Sequence, residues 1–578
     1  MAERWQATHI IVGGGSAGCV MAARLSEDSA NRVVLIEAGD DHLPDAIPSD
    51  ISERYGGRAF GNASYFWPNL LATRGTGAHI PLAAQKPSLF HQARVMGGGS
   101  SINAQVALRG IPSDFERWAE AGAHGWGWSD VLPYFRKLEN DLDFDNAMHG
   151  QDGPVPIKRV PRGEWDRFNQ AVAASWSRQG YGYLEDMNAD FGDGFAATPF
   201  SNDGETRWSA SRAYLTAEVR RRTNLTILPR TEIHRVLISC SRATGVEGLC
   251  DGQTFGAFAD NIILCAGALA SPRLLMLSGI GPAAHLRSVG ITPVADRAGV
   301  GANLQDHPNI YISAYLARDV RHTAPYRGPA TYLRYSSHTE GCAPHDMIMI
   351  ATGRSGWHDV GDQIATILPF VATPYSRGTV RLASSDPHVP ATIDLNYLSD
   401  ERDRIRLVDA FRFGAATLLS DEVSAITSNP FPTVYSERVS KLAEPNLKNK
   451  ILTRMVAGLL DSNSAVRSFM INNIITDAPA LGHLLADDKA AMDYVCGAVC
   501  PIWHVSGTCR MGDESDPLAV TDPQGRVIGI DNLFVADGSV MPNVSNANTN
   551  LPILMVAERI ADAVKAHGRV ARPQATAA

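Results

Sequence analysis

The chemistry of this chain begins with glycine. Gly13, Gly15 and Gly18 stand in G-x-G-x-x-G spacing within "THIIVGGGSAGCVMAARL", and Glu37 closes the next apolar run, "RVVLIEAG", 19 residues after Gly18. Gly13 permits a tight turn, Gly15 lets a pyrophosphate approach the backbone, and Gly18 lets the following helix pack on the strand. Phosphates would sit at the helix N-terminus, where free N–H groups and the macrodipole favour negative charge. Glu37 can accept both hydroxyls of an adenosine ribose and would repel a 2′-phosphate, so the pattern fits NAD or FAD and not NADP. Glycine-rich turns are common, but a strand before, a helix after and the terminal acid together predict a dinucleotide site. A second run, Gly97, Gly98 and Gly99 followed by Ser100 and Ser101, offers a donor-rich backbone that could press against a flat cofactor or its phosphates.

The elements that must position these groups follow from hydrophobic periodicity. Residues 8–37 read as a βαβ unit. Residues 60–115 read as loop, and 224–267 as short strands leading into a strand, turn and helix at 261–281, where the nucleotide domain resumes. From 310 to about 420 short apolar runs and turns predict an antiparallel sheet, and 421–495 reads as helical. There Leu447, Ile451, Leu452, Met455, Val456, Leu459 and Leu460 form one apolar face, expected to be core. The segments "IWHVSGTCRMG" and "NLFVADGSVMPNVSNANTNLPILMVAERIADAV" combine strand, polar loop and a last helix.

Composition narrows the partners. At 578 residues and 44% hydrophobic the chain is too long for one simple core and is not a disordered or fibrous sequence. A net charge of −9 without a basic run argues against nucleic acid and leaves a small molecule as the expected partner. The eight cysteines are scattered and read as reduced thiols; Cys496 and Cys500 lack a second matched pair, so no metal site is expected. No run is apolar for long enough to span a membrane, although an amphipathic surface helix remains open. The start lacks a secretory pattern, and a cytoplasmic address is expected.

Four features in order, namely the glycine turn with Glu37, "ARVMGGGSSIN" at 93–103, "GALASPRLLMLSGIG" at 267–281 and the paired C-terminal segments, resemble the glucose–methanol–choline (GMC) oxidoreductases, FAD enzymes acting mostly on alcohols. Met96 departs mildly from the first signature. The likeness runs over about 8–420 and 495–565. Segments such as "FWPNL", "HGWGWSDVLPYFRKLE", "HGQDGPVPIKRV" and "ANTNLP" resemble the bacterial branch of hydroxymethylfurfural and aryl-alcohol oxidases, with pyridoxine oxidases nearby.

The resemblance implies an α/β plus α+β fold: a Rossmann-like FAD-binding domain from 1–160, 205–310 and 496–578, and a substrate-binding domain from 161–204 and 311–495, built on an antiparallel sheet with helices and a helical insertion at about 421–495. It makes His504 the base that takes the alcohol proton and Asn548 the amide that fixes the substrate oxygen, with Asn546 and Asn550 close in sequence. Hydride would pass to flavin N5, and O2 or another electron acceptor would reoxidise the flavin; a carrier-linked dehydrogenase, a lyase or a fatty acid photodecarboxylase of the same fold are the alternatives. Carried over as FAD contacts are Gly13, Gly15, Ser16, Ala17, Gly18, Glu37, Ala38, Trp67, Arg94, Met96, Gly97, Gly98, Gly99, Ser100, Asn103, Ala104, Val236, Ala266, Gly267, Trp503, Asp537, Gly538, Asn548 and Thr549. Ile102 stands where some relatives attach FAD through histidine, which implies non-covalent FAD. Val371 and Trp503 are expected to line an apolar pocket suited to a neutral aromatic or furanic primary alcohol.

Overall fold

The computed structural model describes residues 5–322, 324, 326–434, 442 and 444–571. Its first sheet is organised by the apolar strand Trp5–Val12, which is flanked in parallel by Val33–Ile36 and Gln253–Leu264. Leu225–Leu228 extends the sheet beyond Val33–Ile36, and Leu533–Val535 pairs in parallel with Gln253–Leu264. Parallel strands carry helices or loops on both faces, which is why "IIV" at 10–12, "VVLI" at 33–36 and "IIL" at 262–264 are apolar at every position. Thr231–Ser239, Arg242–Cys250 and Gln253–Leu264 form the antiparallel meander at the sheet's other edge. The helix Ser16–Leu25 packs against the last helix, Asn550–Ala571, so both ends of the described chain meet beside the glycine turn.

The second sheet has the order Thr427–Pro432, Ile312–Leu316, Ile364–Val371, Met347–Thr352, Thr331–Tyr335, Gly194–Ala197, and its pairings are antiparallel throughout. Its back is covered by the helix Glu401–Leu419, whose N-cap Asp400 accepts a hydrogen bond from the Arg402 N–H. Where helix and sheet cross, Gly414 has no room for a side chain: a Cβ there would lie 2.7 Å from Ile312 Cδ1 and 3.4 Å from Ile367 Cγ2. This helix is absent from the sheet-only expectation for 310–420, because its arginines and aspartates mask the helical period.

Two further expectations change. The stretch 421–495 is not wholly helical, since Thr427–Pro432 forms the edge of the second sheet before the helices Leu447–Leu460, Ser464–Met470, Leu481–Ala486 and Asp488–Ala498. Residues 435–441 and 443 of that stretch lie outside the described residues. The helix Leu447–Leu460 is also turned the other way from the core face expected of it: Asn449, Thr453, Ala457 and Leu460 are buried, while Leu447, Ile451, Leu452, Met455 and Leu459 are exposed. No described helix is long and apolar enough to cross a membrane.

Candidate active site

The glycine turn is built as its spacing requires. Gly13 has φ +103°, and a Cβ there would sit 2.5 Å from the Cys265 carbonyl oxygen. A Cβ at Gly18 would overlap the Gly13 oxygen, so the helix approaches the strand as closely as backbone allows. Gly97–Gly99 lies directly against this turn: the Gly97 N–H donates to the Gly14 oxygen at 2.7 Å, and Gly98, with φ +54°, would place a Cβ 2.7 Å from Gly15 Cα. Gly15 and Gly99 differ from these, because a Cβ at Gly15 meets nothing closer than 3.9 Å and one at Gly99 meets nothing within 4 Å. Two backbone runs about 80 residues apart thus form one cradle, open on the side away from the protein and facing the first turn of Ser16–Leu25. Glu37 is buried beside it and accepts from the Gly14 and Gly39 N–H groups, each at 2.7 Å, which leaves further lone pairs on both oxygens. Burial pushes its pKa up.

Other carried-over residues shape the cradle instead of pointing into it. The Ser100 hydroxyl donates to the Gly97 oxygen at 2.6 Å and accepts from the Ala210 N–H, and Ser101 donates to the Met96 oxygen. Asn103 Oδ1 accepts from the Gln105 N–H and from Arg207. Arg207 was not foreseen: fully buried, it also donates to the Ser100 and Asn103 carbonyls and to the Ile51 oxygen, stapling the loop. Asp537 accepts from the Gly267 N–H, the Ser271 hydroxyl and the Ser539 N–H, tying the start of the helix Gly267–Leu277 to the turn at Gly538. Ser16 donates to Asn550 Oδ1 at 2.7 Å, with Thr549 buried at the start of the last helix. Arg94 lies over Trp67 at 4.8 Å, and the Val236 N–H donates to Ser278. Met96 covers Gly14, Ala17 is buried in the first helix and Ala266 is its counterpart at the N-cap of Gly267–Leu277; Ala38 and Ala104 flank the cradle more openly.

His504 is brought to Asn548 by two separate strand-like segments. Residues 505–511 run beside 538–540, with Gly507 N–H donating to the Gly538 oxygen and Cys509 N–H to the Ser539 oxygen. Residue 306 fastens the other side: Asp306 Oδ1 accepts from the His504 and His307 N–H groups at 2.7 and 2.9 Å, and Oδ2 from the Tyr397 hydroxyl at 2.6 Å. Burial pushes this carboxyl up to about 6, and the donors hold it down. The Asn548 amide nitrogen is 3.2 Å from His504 Nε2, and His504 Nδ1 is 2.9 Å from His307 Nδ1. An amide N–H can only donate, so His504 Nε2 carries the lone pair and its proton is on Nδ1, donated to His307. His307 is then protonated on Nε2, and the backbones of Ala372 and Ser545 stand beside its ring. Burial, with His307 beside it, holds His504 well below the usual histidine pKa, and burial pushes His307 down to about 3. Both rings are neutral.

The neighbouring asparagines are engaged elsewhere. Asn546 donates to the His345 carbonyl and Asn550 accepts from Ser16, so Asn548 alone of the three is given a contact with His504. Tyr332, buried in the second sheet, sets its phenol beside the Asn548 side chain. Trp503, with φ +62°, packs against Phe60 at 4.9 Å and His91 at 6.1 Å, and Phe66 completes this aromatic wall. Phe370, near the end of the strand Ile364–Val371, stacks on His307 at 5.2 Å and reaches His504 at 6.4 Å, and Val371 beside it is buried, its N–H donating to the Pro308 oxygen. Ile102 is buried among Ile51, Ala59, Tyr65, Phe66 and Val95 and offers no nucleophile.

Among the described residues Glu139, Asp141 and His149 alone form a group with metal-ligand spacing. Arg109 contacts Glu139, and Arg159 reaches Asp141 at 2.9 Å and Asp186 at 3.0 Å. Three buried cations and three carboxylates therefore balance there as an ion network.

This arrangement, a dinucleotide cradle beside a histidine–asparagine pair, is that of a dinucleotide-dependent oxidoreductase. Residues 7–309 match the model of the amino-terminal part of the GMC oxidoreductase family and residues 374–557 that of its carboxy-terminal part, and the chain belongs to this family, whose cofactor is FAD. It is 37% identical to 5-(hydroxymethyl)furfural oxidase of Methylovorus sp. (strain MP688), covering 96% of this chain and 98% of that one. It is 33% identical to the mitochondrial choline dehydrogenase of Homo sapiens, covering 97% and 90%. Among solved structures, pyridoxine 4-oxidase from Mesorbium loti superposes with a TM-score of 0.79 at 29% identity, covering 97% of this chain and 99% of that one. The chain is thus an FAD enzyme acting on alcohol groups.

Proposed function

We propose that this enzyme oxidises a neutral aromatic or furanic primary alcohol to its aldehyde with O2 as acceptor, releasing H2O2. The observation that carries the reading is the His504–Asn548 contact, in which an imidazole held neutral presents its Nε2 lone pair toward an amide donor. An alcohol entering between them gives its proton to His504 Nε2, and the Asn548 amide donates to the substrate oxygen. Alkoxide character on that oxygen weakens the carbinol C–H bond. Bound FAD supplies the hydride acceptor. Gly13–Gly18, Glu37 and Gly97–Gly99 would hold it, non-covalently because residue 102 is isoleucine. His307 receives the Nδ1–H throughout, so His504 does not turn when it becomes cationic. The wall of Trp503, Phe60 and His91 gives an aromatic substrate edge and face contacts. The polar groups of the site, His504, Asn548 and Tyr332, are uncharged, which suits a neutral alcohol better than a quaternary ammonium substrate.

The test mixes the purified yellow protein anaerobically with furanic, benzylic, pyridine and aliphatic primary alcohols and with choline, then admits air. Loss of the flavin band with furanic and benzylic alcohols, and recovery with stoichiometric peroxide, is the expected result. Recovery only on adding a quinone would make it a dehydrogenase, and reduction by choline alone would overturn the substrate class.

A further inference from the structure

The helix Leu447–Leu460 is amphipathic in the inverse sense. Leu447, Ile451, Met455 and Leu459 recur every four residues on one side and are 72%, 53%, 65% and 48% exposed. Asn449, Thr453 and Ala457, each two places further and so about 200° round the helix, face the protein. The contacts on that inner side are specific, for Gln363 Nε2 donates to the Ala457 oxygen at 3.0 Å and Asn446 caps the helix by accepting from the Asn449 N–H. The apolar row is therefore presented outward by a helix anchored through its polar one, and Phe469 of the next helix is exposed at 60% as well. The same fourteen residues contain Lys448, Lys450 and Arg454 and no aspartate or glutamate, a local charge of +3 in a chain of −9. None of the three cations is paired with a carboxylate among the described residues.

We propose that this face docks the enzyme on an anionic phospholipid bilayer, lying in the interface with the apolar row immersed and the cations level with the headgroups. The length of the helix, ~21 Å, and its composition suit interfacial binding: large aliphatic side chains in one row, with long cationic side chains whose stems reach past them to the phosphates. A second copy of the chain fits less well. Two-fold pairing of the same face would bring six cations together, and the exposed part of one such row falls short of the ~800 Å² that each partner of a stable dimer buries. Attraction to anionic lipid works in the favourable direction for every one of those charges.

The experiment uses the full-length FAD-loaded enzyme and phosphatidylcholine vesicles prepared with and without phosphatidylglycerol, separated by flotation. Affinity about a hundredfold higher for the anionic vesicles, falling as salt is raised, is expected from three interfacial cations. Combined Leu447→Ser, Ile451→Ser and Met455→Ser should abolish flotation, and combined Lys448→Glu and Lys450→Glu should remove the preference for anionic lipid. The flavin band and turnover in solution should stay at parental values in both variants, which shows that they fold. Equal partition to the two vesicle types, no binding to either, or serine variants that float like the parent would overturn the proposal. So would light scattering that shows a dimer which the serine variants dissociate.

Discussion

At the scale of single residues the site depends on which nitrogen of His504 is free. Asn548 donates to Nε2 and His307 accepts at Nδ1, so two neutral neighbours fix a tautomer that in many enzymes a carboxylate fixes. The nearest carboxyl, Asp306, turns instead to two backbone N–H groups and Tyr397. Replacing His504 by Ala should lower kcat/KM by about 10²–10⁴-fold with FAD retained, as loss of a general base does, measured by anaerobic flavin reduction. Because the base works unprotonated and its pKa lies below the ordinary 6.5, kcat/KM should stay level as pH falls through 6.5 and decline only in more acidic solution. His307 touches no reacting atom in this scheme and acts as a positioning residue. His307→Leu leaves the Nδ1–H without an acceptor and should reduce kcat more than it changes KM, while His307→Gln, whose amide oxygen can accept, should restore part of the loss. A fall in stability with unchanged kcat in the folded fraction would show that the ring merely fills space.

At the scale of elements, the two glycine runs separate what the fold needs from what the cofactor needs. Gly98→Ala forces a Cβ against Gly15 Cα at a positive φ, and should cost the apoprotein stability of about 1–3 kcal/mol. Gly99→Ala meets no protein atom within 4 Å. It should leave the apoprotein's thermal midpoint unchanged and still weaken FAD binding, read by flavin fluorescence on titration, since its methyl group enters the open side of the cradle. Equal effects on both quantities would mean that the space is not used by FAD. The cradle was legible in the sequence because its determinants are local: three glycines, a strand and an acid within 30 residues. Its supports were not. Arg207 staples Ser100 and Asn103 from a hundred residues away, and Asp306, His307 and Tyr397 come to His504 through the second sheet and the loops around it, a juxtaposition that no spacing rule contains. Phe370 was missed for the same reason: the strand was recognised, but its approach to His307 and His504 depends on how the second sheet sits beside the loop that carries His307. The apolar face of Leu447–Leu460 was equally visible as a pattern, and periodicity alone does not say whether such a face turns in or out.

At the scale of the whole molecule, a buried ion network joins the paired strands Glu139–Asp141 and Val155–Arg159 to the loops that carry Arg109, His149 and Asp186. Arg109, Arg159 and His149 face Glu139, Asp141 and Asp186, with His149 bonded to Asp186 at 2.6 Å and to Glu139 and Asp141 at 3.0 Å. Breaking one member leaves a charge buried without its partner, so each residue matters more than a surface pair would. Desolvation opposes the charged form of His149, but hydrogen bonds to Asp141, Asp186 and Glu139 outweigh it and push its pKa up to about 10 from 6.5. A pKa raised in the folded state means that folding takes up a proton, so the stabilisation is complete below 6.5 and is lost as pH rises toward about 10. The thermal midpoint of the holoenzyme should therefore fall across that alkaline window. His149→Gln should be less stable at neutral pH, because the three carboxylates lose a cation, and its midpoint should vary less between neutral pH and pH 10 than the parent's. Chelators should change neither curve, because arginines already hold the positions around the only metal-like group among the described residues. If the alkaline loss persists unchanged in the glutamine variant, the titrating group lies elsewhere, and the network's contribution comes from its arginines alone.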